Sequence, residues 1–61
     1  MGKRLREIRA AKHLSQAAIA KRAGLSREYV LRLEAGQQDP SLSTLTALAK
    51  ALGVPVTRLL E

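Results

Sequence analysis

The 61-residue chain contains no cysteine, tryptophan or phenylalanine, and Tyr29 is its single aromatic residue. Without cysteine there is no disulfide to staple the fold and no thiolate to hold a metal, which suits a reducing compartment. With one aromatic ring, the core has to be assembled from Leu, Ile, Val and Ala. Long apolar runs are missing too. The longest stretches are far too short to span a bilayer, and the basic start is not followed by a continuous apolar segment of the kind that directs export. No membrane association is expected. His13 is the lone histidine and has no second ligand nearby, so a metal site is not expected and a helix-ending surface role is the better reading. No nucleophile, base and orienter fall together, nor do two acids in a plausible cleft. An enzyme is therefore excluded, and neither a cofactor nor a small-molecule substrate is expected.

What is abundant is positive charge. Eleven Lys and Arg oppose five Asp and Glu, a formal net charge of +6. Residues 1–32 carry nine of the cations against Glu7 and Glu28, a net of +7, whereas residues 33–61 carry Lys50 and Arg58 against Glu34, Asp39 and Glu61, a net of −1. A basic half beside a near-neutral half suggests a polyanion-facing side, the alternative being a solvated basic surface. The length allows one domain over residues 1–61. At this size a chain buries only about 60% of the surface it exposes when unfolded, which leaves little room for a deep cleft.

Helical periodicity runs the length of the chain, without strand alternation. Leu5, Ile8, Ala11 and Lys12 recur on one face of a first helix, about Lys3 to Lys12, which ends at His13, a position with a demand for positive φ. Ser15 caps a second helix over Gln16 to Ala23 that buries Ile19 and Ala23, and Gly24 ends it. Ser26 restarts a third, about Arg27 to Ala35, with Val30 and Leu33 inward and Gly36 closing it. Ser41 caps a fourth with the apolar stripe Leu42, Leu45, Leu48, Ala49 and Leu52, ended by Gly53. Val54-Pro55 starts a short fifth helix containing Val56, Leu59 and Leu60. The expected fold is all-α, a compact five-helix bundle.

Helices two and three, joined by a short turn containing Gly24, form a helix-turn-helix unit. Ala20 sits where the two helices come closest. Ile19, Leu25, Val30 and Leu33 fill the wedge between them. With these inward, a rotation of about 100° per residue turns Arg27, Glu28, Leu31 and Arg32 outward, and that strip is the candidate reader.

The stretch from Leu5 to Val54, with Leu-Ser-Gln at 14–16, Ala20 through Gly24, Leu-Glu-Ala-Gly at 33–36, Pro40-Ser41 and Leu52-Gly53-Val54, resembles the lambda-repressor-like helix-turn-helix family. Its members include phage Cro and repressor proteins and the XRE-type bacterial regulators. The resemblance implies a five-helix bundle whose third helix enters the DNA major groove. It implies base reading by Arg27 and Glu28; Arg32, one turn further, reaches a base or a phosphate, and Leu31, also on the candidate reading strip, departs from the small or polar residue common there. Arg27 would bind guanine O6 and N7, and Glu28 would accept from cytosine N4. Phosphate contacts fall to Gln16, Ala17, Tyr29, Gln37 and Gln38, with the positive end of the second helix assisting at Gln16. The matching positions Arg9 and Glu34 form a salt bridge tying helix one to helix three in the family, and are read as structural.

Some positions keep two readings. Glu28 and Arg32 at i,i+4 can pair within the helix instead of contacting DNA, or do both. Leu31 touches a thymine methyl or is a solvent-exposed leucine that favours helix formation. Tyr29 packs its ring and points its hydroxyl at a phosphate, or only packs. The turn Gln37, Gln38, Asp39 departs from the Lys or Arg common there and weakens the phosphate grip on that side. The expected function is sequence-specific binding of double-stranded DNA as a repressor-like transcriptional regulator. A protein-interaction or antitoxin-type module on the same fold is the alternative. A weak homodimer assembled mainly on a palindromic operator is expected, with Val54, Val56, Leu59 and Leu60 as its contact, in a cytoplasmic, nucleoid-associated protein of a prokaryote or phage.

Overall fold

The computed structural model describes residues 2–61, which form five helices and no strand. They are α1 (Gly2–Ala11), α2 (Gln16–Ala23), α3 (Arg27–Glu34), α4 (Leu42–Leu52) and α5 (Thr57–Leu60). Serine side chains start three of them. Ser15 Oγ accepts from Ala18 N–H at 3.0 Å, Ser26 Oγ from Tyr29 N–H at 3.0 Å, and Ser41 Oγ from Thr44 N–H at 3.2 Å. Each thereby satisfies one of the N–H groups that a helix start leaves without a partner.

The exits repeat a single device. After α2 the chain turns at Gly24, φ 71°, and Leu25 N–H reaches back to Ala20 O at 2.8 Å, closing the last turn over a left-handed residue. After α1 the same turn is made by His13 at φ 57°, with Leu14 N–H donating to Arg9 O at 3.2 Å. A side chain with a Cβ carries strain there that glycine avoids. The expectation of positive φ at His13 holds.

The core is aliphatic throughout. Leu5, Ile19, Leu33, Leu48, Leu59 and Val30 are each below 2% exposed. They come from all five helices, so no helix can leave without opening the centre. Gly2 is buried where α1 begins: a Cβ there would crowd the carbonyl of Leu33 and lie 2.7 Å from that of Glu34. The absence of a side chain lets α1 press against the C-terminal end of α3.

Several expectations are corrected. The first helix spans Gly2–Ala11, one residue earlier at each end than expected, and Ala11 and Lys12 are exposed rather than inward. Its buried face is narrower, made of Gly2, Leu5 and Ile8. In α2 Ala20 is the buried alanine and Ala23 is half-buried. Leu42 opens the apolar stripe of α4 in sequence but is 71% exposed and takes no part in the core cluster. The fifth helix begins at Thr57, after an irregular Val54–Val56 segment. Leu59, expected at a dimer contact, is 1% exposed and closes the core of its own chain.

Candidate nucleic-acid interface

Three residues, Gly24, Leu25 and Ser26, connect α2 to α3. Ala20, 3% exposed, lets the two helices approach closely, and Ile19 and Val30, both fully buried, lock their relative angle. With the inner face of α3 so committed, Arg27, Glu28, Leu31 and Arg32 stand exposed on its outer face, Leu31 at 49%. Among the described residues no ion pair joins Glu28 to Arg32, so the intrahelical alternative leaves no trace and both groups face solvent. Lys21 and Arg22, also exposed at the end of α2, add to the positive potential on this side of the molecule.

The first N–H groups of α2 are open. Ser15 caps Ala18, and Ile19 donates to Ser15 O at 3.1 Å, while Gln16 and Ala17 occupy the first two positions, whose N–H groups have no acceptor within the helix. Those donors, with the positive end of the helix dipole, suit an anion. Tyr29 is half-buried and packs against the core. Gln37 and Gln38 are exposed beyond α3. The Gln37 backbone N–H is consumed by a 2.9 Å bond to Arg32 O, which leaves its side chain as the free donor.

Behind the strip lies an ion-pair cluster. Arg9 Nε donates to Glu34 Oε2 at 2.6 Å and Arg9 Nη2 to Glu34 Oε1 at 3.0 Å, a two-pronged pair between α1 and α3. Arg9 Nη1 also donates to Leu14 O at 2.8 Å. The side chains are 16% and 4% exposed. Hydrogen bonding to Glu34 raises the Arg9 guanidinium above its ordinary pKa, against the opposing effect of desolvation.

Sequence reasoning missed the third member. Gln16 Nε2 donates to Glu34 Oε1 at 3.1 Å across 18 residues of chain, a separation at which neither helical spacing nor charge gives a signal. A glutamine amide has two N–H bonds. With one fixed on Glu34, the side chain is oriented at the α2 N-terminus and the second N–H remains to be used.

A pair of helices locked by small and aliphatic side chains, an exposed polar strip on the second, and open backbone donors at the start of the first define a helix-turn-helix domain of the DNA-binding class. Comparison with known proteins agrees. Residues 5–59 match the helix-turn-helix family, and the chain belongs to it, a family of DNA-binding transcriptional regulators. The immunity repressor protein of Bacillus phage phi105 is 44% identical over 57 residues, which cover 93% of this chain and 40% of the repressor. Control protein C.SmaI of Serratia marcescens is 38% identical over 60 residues, covering 98% of this chain and 71% of that protein. Among solved structures, the restriction-modification controller protein C.AhdI from Aeromonas hydrophila superposes with a TM-score of 0.94 at 46% identity, over 95% of this chain and 88% of that one. The chain thus spans less than half of the phage repressor and most of the controller protein. No helix among the described residues is long and apolar enough to cross a membrane.

Proposed function

We propose that this domain, residues 1–61, acts as a repressor-like regulator by seating α3 in the major groove of an operator. The observation that carries the reading is the exposed strip Arg27, Glu28, Leu31 and Arg32, with no ion pair across it, together with the open N–H groups of Gln16 and Ala17. Arg27 binds the O6 and N7 of a guanine, Glu28 accepts from a cytosine N4, Leu31 meets a thymine methyl, and Arg32 reaches a base or phosphate one turn on. Gln16, Ala17, Tyr29, Gln37 and Gln38 hold phosphates and set the register rather than the sequence.

Two copies bind a two-fold operator. The domain is 23 Å across in its longer dimensions, less than the ~34 Å between half-sites one helical turn apart, so two copies fit side by side without overlap and leave room for no more than an edge contact. Leu60 is 61% exposed and Val54 and Val56 are half-buried, whereas Leu59 belongs to the core. So small an apolar edge falls well short of the ~1,000 Å² of a stable interface, and the pair forms on DNA, where each copy raises the effective concentration of the other. Selection of bound sequences from a random duplex pool tests the reading. A two-fold motif with half-sites about one helical turn apart is expected; an unenriched pool would overturn it.

A further inference from the structure

A groove of about 490 Å³ lies between α1 and the start of α5, lined by Arg4, Glu7, Ile8, Ala11, Lys12, Val54 and Arg58. None of these residues belongs to α2 or α3. On α1, Arg4 is five positions from Arg9 and so turned about 140° from the side that meets Glu34, while Lys12, three positions from Arg9, is turned about 60° from it. The groove shares no residue with the outer strip of α3.

Its chemistry is that of a receptor for acidic chains. Ile8, Ala11 and Val54 make an apolar floor. Arg4 and Lys12 stand at its two ends, eight residues and so about 12 Å apart along the helix axis, with Arg58 on the opposite wall. Three cations face one acid, Glu7. Among the described residues neither Arg4 nor Lys12 makes a salt bridge, and Arg58 makes a 3.6 Å surface contact with Glu61 whose partners are about half exposed. Arg4 does not serve its helix, whereas Lys12 and Arg58 lie at helix C-terminal ends, where the dipole favours a cation. Lys3, Arg4 and Arg6 crowd the N-terminal end of α1, where no acid sits in the first turn and the dipole disfavours cations.

We infer that the α1–α5 groove docks an acidic segment of a partner protein, an extended peptide with two carboxylates about 13 Å apart, four residues at ~3.3 Å each, flanking an aliphatic side chain. One carboxylate pairs with Arg4, the other with Lys12, Arg58 closes over the middle, and the aliphatic side chain lies on Ile8 and Val54. A phosphate backbone suits the groove less well, because it has nothing to place on that floor and meets Glu7. The groove shares no residue with the reading strip, but Val54 lies both in its floor and on the apolar edge proposed to pair two copies, so the partner and the second copy compete at that end of the groove.

The test is titration of the isotopically labelled protein with the blocked peptide Glu-Ala-Leu-Leu-Glu, read by amide chemical shifts, beside the same peptide carrying Gln in place of both Glu. The expected result is saturable shifts at Arg4, Ile8, Ala11, Lys12, Val54 and Arg58, at least tenfold weaker binding of the Gln peptide, and loss of the shifts in the triple variant Arg4→Glu, Lys12→Glu, Arg58→Glu, whose unchanged melting temperature reports an intact fold. Absence of shifts at millimolar peptide overturns the proposal. So do shifts centred on Arg27 and Arg32, equal binding of the two peptides, shifts at the groove produced by duplex DNA, or concentration-dependent shifts there without peptide, which would assign the groove to a second copy.

Discussion

Gln16 and Arg9 share one acceptor: both donate to Oε1 of Glu34, at 3.1 and 3.0 Å, so a single carboxylate on the reading helix ties together α1, the start of α2 and the end of α3. The residues proposed to hold phosphate and those that hold the fold are therefore joined, and substitution can separate their contributions.

Arg9→Met leaves the Glu34 carboxylate, 4% exposed, with the Gln16 amide as its remaining partner. Loss of a poorly solvated charge's partner costs more than replacing both members by apolar groups. The single change should destabilise by about 2–4 kcal/mol, and the double change Arg9→Met, Glu34→Leu by clearly less. Urea unfolding of the four members of the cycle measures this. A double variant worse than the sum of the singles would contradict the packing described.

Gln16→Ala removes a neutral donor whose partner keeps Arg9, so stability should fall by about 1 kcal/mol or less. Binding to all duplexes should weaken evenly. Because a neutral amide releases no counterion, the slope of log affinity against log salt should not change, whereas loss of a phosphate-contacting cation would lower it by about one. Fluorescence anisotropy at several salt concentrations reads both quantities.

His13 adopts φ 57°, where an L-residue carries about 1–2 kcal/mol of strain. His13→Gly relieves it while giving the unfolded chain about 0.4–1 kcal/mol of extra freedom. The net should be a gain of about 0.5 kcal/mol, or roughly 2–4 °C in melting temperature for a domain of this size. A lower melting temperature would show that the His13 side chain makes a stabilising contact that the turn geometry does not reveal.

The helices were legible because their punctuation is local. Serine caps at 15, 26 and 41 and left-handed exits at 13, 24, 36 and 53 act within one turn, and α2 follows the boundaries they imply. Burial was legible where an apolar stripe meets a neighbour, as at Leu45 and Leu48, but not at Leu42, which begins the same stripe and takes no part in the core cluster. The apolar tail of α5 divides in the same way. Leu59 and Leu60 are adjacent and chemically identical, and only the position of α5 against the bundle decides that one is 1% and the other 61% exposed. The Gln16–Glu34 bond depends on the packing of two distant helix ends, which no spacing encodes.

Leu60→Glu places a charge on the exposed apolar edge while leaving Leu59 in the core. The free protein should remain monomeric and binding to a single half-site should be unchanged, while cooperative occupancy of a two-fold site should be lost. Sedimentation with single and double half-site duplexes distinguishes these outcomes. Cooperativity that survives the charge would place the contact elsewhere.

The most direct measurement concerns Arg27. On the sequence selected by the wild-type domain, Arg27→Ala should cost about 1–3 kcal/mol and relax discrimination at one base pair, while Lys21→Ala weakens all sequences slightly or evenly. Affinities of both variants for the selected site and for its single-base-pair substitutions give the result. Relaxed preference at one position in the Arg27 variant alone is the outcome expected of base reading by α3. Unchanged affinity and unchanged preference would contradict it.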